Sequence, residues 1–330
     1  MLKKIAFSLA CLILCLSLSP ELRAEKKLLC STFPVYLFTG NIAQGVEGLS
    51  VDLLVDSKQG CPHDYSLTPN DLERLSRADV LIINGLGLES FLAKAATVVK
   101  PGLRVIDASG GGERAGKNLS LIVRGVEALN DMVHDDHSDH DGHDHGHQHG
   151  LVNPHIFAAP GPASEMVSNI AAGLAALDSE NADIYNKNAS NYVAELQKII
   201  LAGKEAGKVL GSPKIIASHS IFDYLAEDLE LTIAAAIEEV DGADPSPARL
   251  AELIRVAKSQ NVRAILVDPQ GNINLARTLG AETGLPVAVI DPVASGPLDA
   301  PLDYYQKVMS TDLEVLLKLF QSSRPEAEKK

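Results

Sequence analysis

Apolar residues along this chain fall into two alternating patterns. Short runs rich in Val, Ile, Leu and Ala occur at Lys27–Ser31, Leu49–Val55, Val80–Asn84, Arg104–Asp107, Lys214–Ala217, Leu231–Ala235, Ala264–Val267 and Val287–Ile290. Each reads as a strand. Between them lie amphipathic stretches with clear helix starts. In TPNDLERLSRAD, Thr68 caps, Pro69 takes the first helical position and Asp71 completes a capping box. In SPARLAELIRVAKSQN, Ser246 caps and Pro247 follows, and Leu250, Leu253, Ile254 and Ala257 mark one face. Strands alternating with helices predict parallel-type sheets covered by helices. The middle differs: 163–177 and 181–210 are helical with no strand, with Tyr185, Tyr192, Leu196 and Ile199 at helical spacing. Four strands precede this block and four follow it. The pattern therefore predicts an α/β protein of two lobes, 25–160 and 211–330, bridged by a helical connector over 161–210. Residues 130–150, dominated by His, Asp and Gly, cannot bury a core and read as a loop inserted in the first lobe. Gly110-Gly111-Gly112 is a turn without a phosphate motif around it.

The start of the chain changes the picture of where the protein works. Lys3 and Lys4 precede an apolar run from Ile5 to Leu18, and Leu22-Arg23-Ala24 offers a small residue for cleavage. Residues 1–24 read as a signal peptide, too short in its apolar part to span a bilayer. Cys11 and Cys15 lack the flanking residues of a lipid-attachment site, having Ser8 and Leu14 at the wrong places. The expectation is cleavage after Ala24 and a soluble, monomeric periplasmic protein. The whole chain carries a formal charge of −14. Removing the signal leaves about −16, which argues against nucleic acid as a partner. Of the four cysteines, Cys30 and Cys61 remain after cleavage. In an oxidising compartment the expectation is a disulfide between them. Two buried free thiols are the alternative.

The ten histidines carry the chemistry. Seven lie in HDDHSDHDGHDHGHQH: His134, His137, His140, His143, His145, His147 and His149. The other three, His63, His155 and His219, stand far apart. His219 follows the strand KIIAS at once, His63 comes soon after the strand ending at Val55, and Asp291 directly follows PVAVI. Open α/β sheets bind ligands beyond the carboxyl ends of their strands. His155, in NPHIFAAP, is not explained by that rule. Three imidazoles and one carboxylate match the four-coordinate N/O preference of zinc.

With these residues in place, the chain resembles the cluster A-I metal-binding proteins of bacterial ABC importers, and within them the ZnuA-like zinc-binding proteins. The resemblance spans essentially the whole mature chain and rests on STFPVYLFTGNIAQG, HDYSLTPNDLERLSRADVLIINGLGLESFL, NPHIFAAP, SHSIFDYLAEDLEL, DPSPARLAELIRVAKSQNVRAILVDPQ and ETGLPVAVIDPV. It implies two α/β lobes bridged by one long helix, with the metal site in the cleft. It places the ligands on His63 and His155 from the first lobe and on His219 and Asp291 from the second, with water as the alternative to Asp291. It also implies that 134–149 occupies the place of the His-rich loop of zinc members. That stretch reads as an auxiliary, weak, multi-site zinc collector or sensor, with a solvated acidic spacer as the alternative. The chain departs from the family at Asn153, where Asp is usual, at Phe157, where Trp is usual, and at Val267-Asp268, where an aromatic and a Glu are common. Cys61, two residues before His63, also departs, and thiolate ligation is a third reading for it.

Manganese-selective relatives put a carboxylate where this chain has His219, and a nitrogen-rich set favours zinc. The expected function is capture of a zinc ion as transported ligand and its delivery to an inner-membrane ABC permease, without catalysis. Two alternatives stand beside it, a metal-binding adhesin of the same family and a secreted zinc hydrolase. The second lacks a signature such as HExxH.

Overall fold

A computed structural model describes residues 25–60, 62, 65–110, 123–125, 153–238 and 245–322. The signal segment 1–24 and the His-rich loop lie outside the described residues. In the first lobe, β1 (Lys26–Cys30), α1 (Phe33–Ile42), β2 (Leu49–Leu53), α2 (Pro69–Arg77), β3 (Val80–Ile83), α3 (Ala93–Val99), β4 (Arg104–Asp107) and β5 (Val123–Gly125) follow one another. They form one sheet in the order β2-β1-β3-β4-β5. Strands β1 to β4 run parallel, and β5 pairs antiparallel with the edge of β4. The second lobe has β6 (Lys214–Ala217), α6 (Asp223–Asp228), β7 (Thr232–Ala236), α7 (Pro247–Ser259), β8 (Val262–Val267), α8 (Ile273–Thr283), β9 (Val287–Val289) and α9 (Tyr304–Ser322). Its sheet runs β7-β6-β8-β9, all parallel. Between the lobes stand α4 (Pro160–Leu177) and α5 (Ala182–Leu210). At a rise of 1.5 Å per residue, α5 is about 43 Å long.

Local chemistry sets these elements as expected from the pattern. Thr68 accepts from the Asp71 backbone N–H while the Asp71 carboxylate accepts from the Thr68 N–H, a reciprocal cap. The Ser246 hydroxyl accepts from the Arg249 N–H. Strand alternation then divides the core. Leu28, Cys30, Ile82 and Ile106 face one way, toward α1 and α4, while Leu29, Leu81, Ile83 and Val105 face α2 and α3. In the second sheet Ile215, Ala217, Ala264 and Leu266 face inward, and Ile216, Ile265 and Val267 face α7 and α8. The two inward faces share one continuous apolar cluster through α1, α4, α5 and α9.

The C-terminal helix closes this core from the first-lobe side as well. The Tyr305 ring lies 5.0 Å from that of Phe38, and its hydroxyl donates to the Phe157 carbonyl. Close packing on the long helix depends on glycine. A Cβ at Gly207 would lie 2.6 Å from the Leu229 carbonyl oxygen, and one at Gly173 of α4 would lie 2.8 Å from Ile106. Strand β5 was not expected from the apolar pattern. It is three residues long on a sheet edge and is defined by its pairing with β4, a long-range contact. Among the described residues no helix is long and apolar enough to cross a membrane.

The expected disulfide is not formed at Cys30. This residue is a free thiol, 0% exposed, on the last position of β1 and inside the inward-facing core. Alternation along β1 fixes that direction, since Leu28 and Cys30 must point to the same face. Burial pushes the thiol up to about 12, which makes it an inert apolar side chain. Cys61 lies outside the described residues.

Candidate metal centre

Both sheets share the strand order second-first-third-fourth, so each has a switch point between its first and third strands. The crevice beyond that point is where such sheets bind ligands. In the second sheet, the residues leaving β6 and β8 there are Ser218-His219 and Asp268. In the first they are Ser31 and Asn84. His155 reaches the same region from the segment between Asn153 and a short 3-10 turn, Ile156–Ala158, that leads into α4.

The structure brings His155 and His219 together. Their ring centroids are 5.5 Å apart with planes at 73°. Both are buried, at 0% and 8% exposure. His155 Nδ1 lies 2.7 Å from Asn153 Oδ1, which also accepts from the His155 backbone N–H at 3.0 Å. The Asn153 amide cannot turn over, because its Nδ2 donates to the Ser220 carbonyl at 2.7 Å and to Asp223 Oδ2 at 2.9 Å. An amide oxygen only accepts, so Nδ1 carries the ring proton and Nε2 keeps its lone pair for a metal. Asn153 thus does for His155 what a carboxylate commonly does, without the charge. It also ties the two lobes, as does the Tyr224 hydroxyl, which donates to the Asn153 carbonyl. Phe157 is buried with its ring 6.0 Å from that of His155.

On the other side, His219 Nε2 lies 3.5 Å from Asp268 Oδ2. That carboxylate accepts from the Ser218 hydroxyl at 2.9 Å and from the Gln270 N–H at 2.9 Å. Burial works against its charge, but His219, Ser218 and Gln270 outweigh it and hold the carboxyl below its usual range. Asp291, just beyond β9, accepts from the Val293 N–H at 2.8 Å, and its own N–H donates to Asp312 at 2.8 Å. Burial and the charge of Asp268 push Asp291 up. Burial and the charge of Asp291 push Asp312 up to about 7. Asp268, which pairs with His219, Asp291 and Asp312 therefore form a chain of like charges. A cation beside Asp268 would relieve the repulsion it exerts on Asp291.

His63 lies outside the described residues, but the chain on both sides is anchored. Gly60, at φ +75°, sits so close to Gln270 that a Cβ would lie 3.0 Å from its side chain. Tyr65 packs edge-on against Phe91 and donates to Asp71. Among the described residues no three His, Cys, Asp or Glu side chains form a ready-made metal set. What converges is the His155–His219 pair with Asp268 beside it. Asp268 was read from the sequence only as a departure from the family pattern. The rule that picked out His219 and Asp291, an acid or imidazole directly following a strand, applies to it equally.

The family model for zinc-uptake complex component A, periplasmic (ZnuA), matches residues 28–319. The zinc-binding lipoprotein AdcA of Streptococcus pneumoniae is 29% identical over 299 residues, covering 89% of this chain and 56% of that protein. This chain thus spans little more than half the length of that relative. The high-affinity zinc uptake system protein ZnuA of Bacillus subtilis is 29% identical over 274 residues, covering 83% of this chain and 80% of that protein. The solved Zn(II)-bound ZnuA-like domain of the pneumococcal AdcA superposes with a TM-score of 0.67 at 24% identity, over 90% of this chain and 99% of that one. With the family model matching nearly the whole described length of two sheets, long helix and paired histidines, this chain belongs to the ZnuA family of periplasmic zinc-uptake components.

Proposed function

We propose that this protein captures a zinc ion outside the cytoplasm and delivers it to an inner-membrane ABC permease, as a non-catalytic, monomeric binding protein. Zinc is held by His63, His155 and His219, with Asp291 or water in the fourth place. The site lies in the cleft between lobes 25–160 and 211–330, which the 161–210 connector joins. The observation that carries this reading is the meeting of two buried imidazoles from different lobes, their ring centroids 5.5 Å apart, with Asp268 beside His219. Nitrogen-rich sets of three imidazoles suit zinc better than manganese. Family membership and the zinc-uptake role of the B. subtilis relative point the same way. The signal segment 1–24 supplies the compartment, and the histidines of 134–149 collect zinc weakly ahead of the cleft.

The test uses protein lacking Asp135–His149, so that only the tight class is read. Alanine at His63, His155 or His219 should weaken zinc by orders of magnitude in a competition titration. Wild-type affinity in all three variants would reject the ligand set. Transfer of bound zinc into vesicles carrying the partner permease separates delivery from mere storage.

A further inference from the structure

Beneath His155 lies a turn that no ligand assignment explains. After β3 the chain runs Asn84-Gly85-Leu86-Gly87-Leu88-Glu89, with φ of +88°, +56° and +79° at Gly85, Leu86 and Gly87. Three successive residues in the left-handed region cost energy, least at glycine. A Cβ at Gly85 would collide with the Asp107 carboxylate. Glu89 closes this turn on itself. Its Oε1 accepts from the Ser31 hydroxyl at 2.6 Å and from the Asn84 N–H at 2.7 Å, and its Oε2 accepts from the Gly85 N–H at 3.1 Å. The carboxylate is 4% exposed, and among the described residues the charge acting on it is that of Asp107, of the same sign. A buried carboxylate without a cation is an expensive way to fill space. What it supplies is a rigid bridge between Ser31 beyond β1 and Asn84 beyond β3, across the switch point of the first sheet.

Asn84 uses that rigidity. It is fully buried, and both Nδ2 protons are donated, one to the Gly85 carbonyl at 3.0 Å and one to the Pro154 carbonyl at 2.9 Å. Its own Oδ1 is buried without a hydrogen-bond partner. A residue that leaves its acceptor unsatisfied is there for its donors. The Pro154 carbonyl and the His155 N–H belong to one rigid peptide plane. The carbonyl end is tied by Asn84 and by the Ile156 N–H at 2.8 Å, and the N–H end by Asn153 at 3.0 Å.

We propose that Asn84 and Glu89 are positioning residues of the zinc site: Glu89 locks the turn, and Asn84 grips the Pro154 carbonyl so that His155 is presented at its ligating position. This rests on the reading of His155 as a ligand. The expected consequence of deleting such a support is a 10–100-fold loss of metal affinity.

The test is a pair of double-mutant cycles in the mature protein, read by zinc competition titration of the tight class. Asn84→Ala should weaken zinc 10–100-fold when His155 is present and add nothing further in a His155→Ala background. Ser31→Ala deletes only one of the three bonds to Glu89. It keeps the fold safe and should give a smaller loss with the same dependence on His155. Equal losses in both backgrounds, or no loss for either variant, would overturn the positioning role. Should His155→Ala itself keep wild-type affinity, the ligand reading fails instead, and that single variant tells the two failures apart.

Discussion

The amide of Asn153 performs two tasks that one substitution can separate. Its Oδ1 orients His155, and its Nδ2 ties the first lobe to Ser220 and Asp223 of the second. Asn153→Ala removes both. The bond to the Ser220 carbonyl contributes about 0.5–1.5 kcal/mol, and the bond to the Asp223 carboxylate about 1.5–3 kcal/mol. The second lies at the exposed end of the contact, so the lower figure applies to it. A stability loss of about 2–3 kcal/mol follows. Losing the acceptor at His155 Nδ1 should weaken zinc by about 10–100-fold. Asn153→Asp keeps the acceptor and loses the donors. It sets a carboxylate against Asp223 at about 3 Å, which costs about 1.4 kcal/mol even at the dielectric of bulk water. The aspartate variant should therefore lose at least as much stability as the alanine variant while binding zinc as tightly as wild type. Urea unfolding of the metal-free protein and competition titration of zinc, run on both variants, measure the two quantities. Equal loss of affinity in Asn153→Asp and Asn153→Ala, or wild-type affinity in Asn153→Ala, would refute the division of roles.

Other predictions follow from burial and packing. Burial raises Glu89 from 4.5 to about 7, against the hydrogen bonds from Ser31, Asn84 and Gly85. The folded protein then holds that proton more tightly than the unfolded chain, so its contribution is full below pH 4.5 and is lost as pH rises through about 7, on the order of 3 kcal/mol. Denaturant midpoints of the metal-free protein at stepped pH should fall across that window, and Glu89→Gln should flatten the fall; an unchanged slope in the variant would clear Glu89 of the effect. The Cys30 thiol should resist alkylation in the native protein and label fully once unfolded without reductant; a peptide linked through Cys30 would contradict the free thiol. Gly207→Ala should destabilise the protein although alanine favours a helix by about 1 kcal/mol, because its Cβ would press on the Leu229 carbonyl. A raised melting temperature would show that this loop yields. Deleting Asp135–His149 should remove weak zinc equivalents and leave one tight one by calorimetry.

Much of the architecture was legible because its signals are local. Eight strands, the Thr68 and Ser246 caps and the helical connector rest on apolar runs, on residues three apart and on prolines at helix starts. None of these needs a distant partner to be recognised. Even His219 and Asp291 were singled out by a local rule, their place directly after a strand. Tertiary structure decided what depends on residues far apart in the chain. Strand β5 exists through its pairing with β4. Cys30 turned out to be a core thiol because the face of β1 on which it lies is covered by helices. The meeting of His155 with His219, the pairing of His219 with Asp268 across 49 positions, and the grip of Asn84 on Pro154 across 70 are likewise products of the fold. Hydrogen bonds and ring contacts act over a few ångströms, and only the folding of two sheets toward one crevice brings such residues within that range.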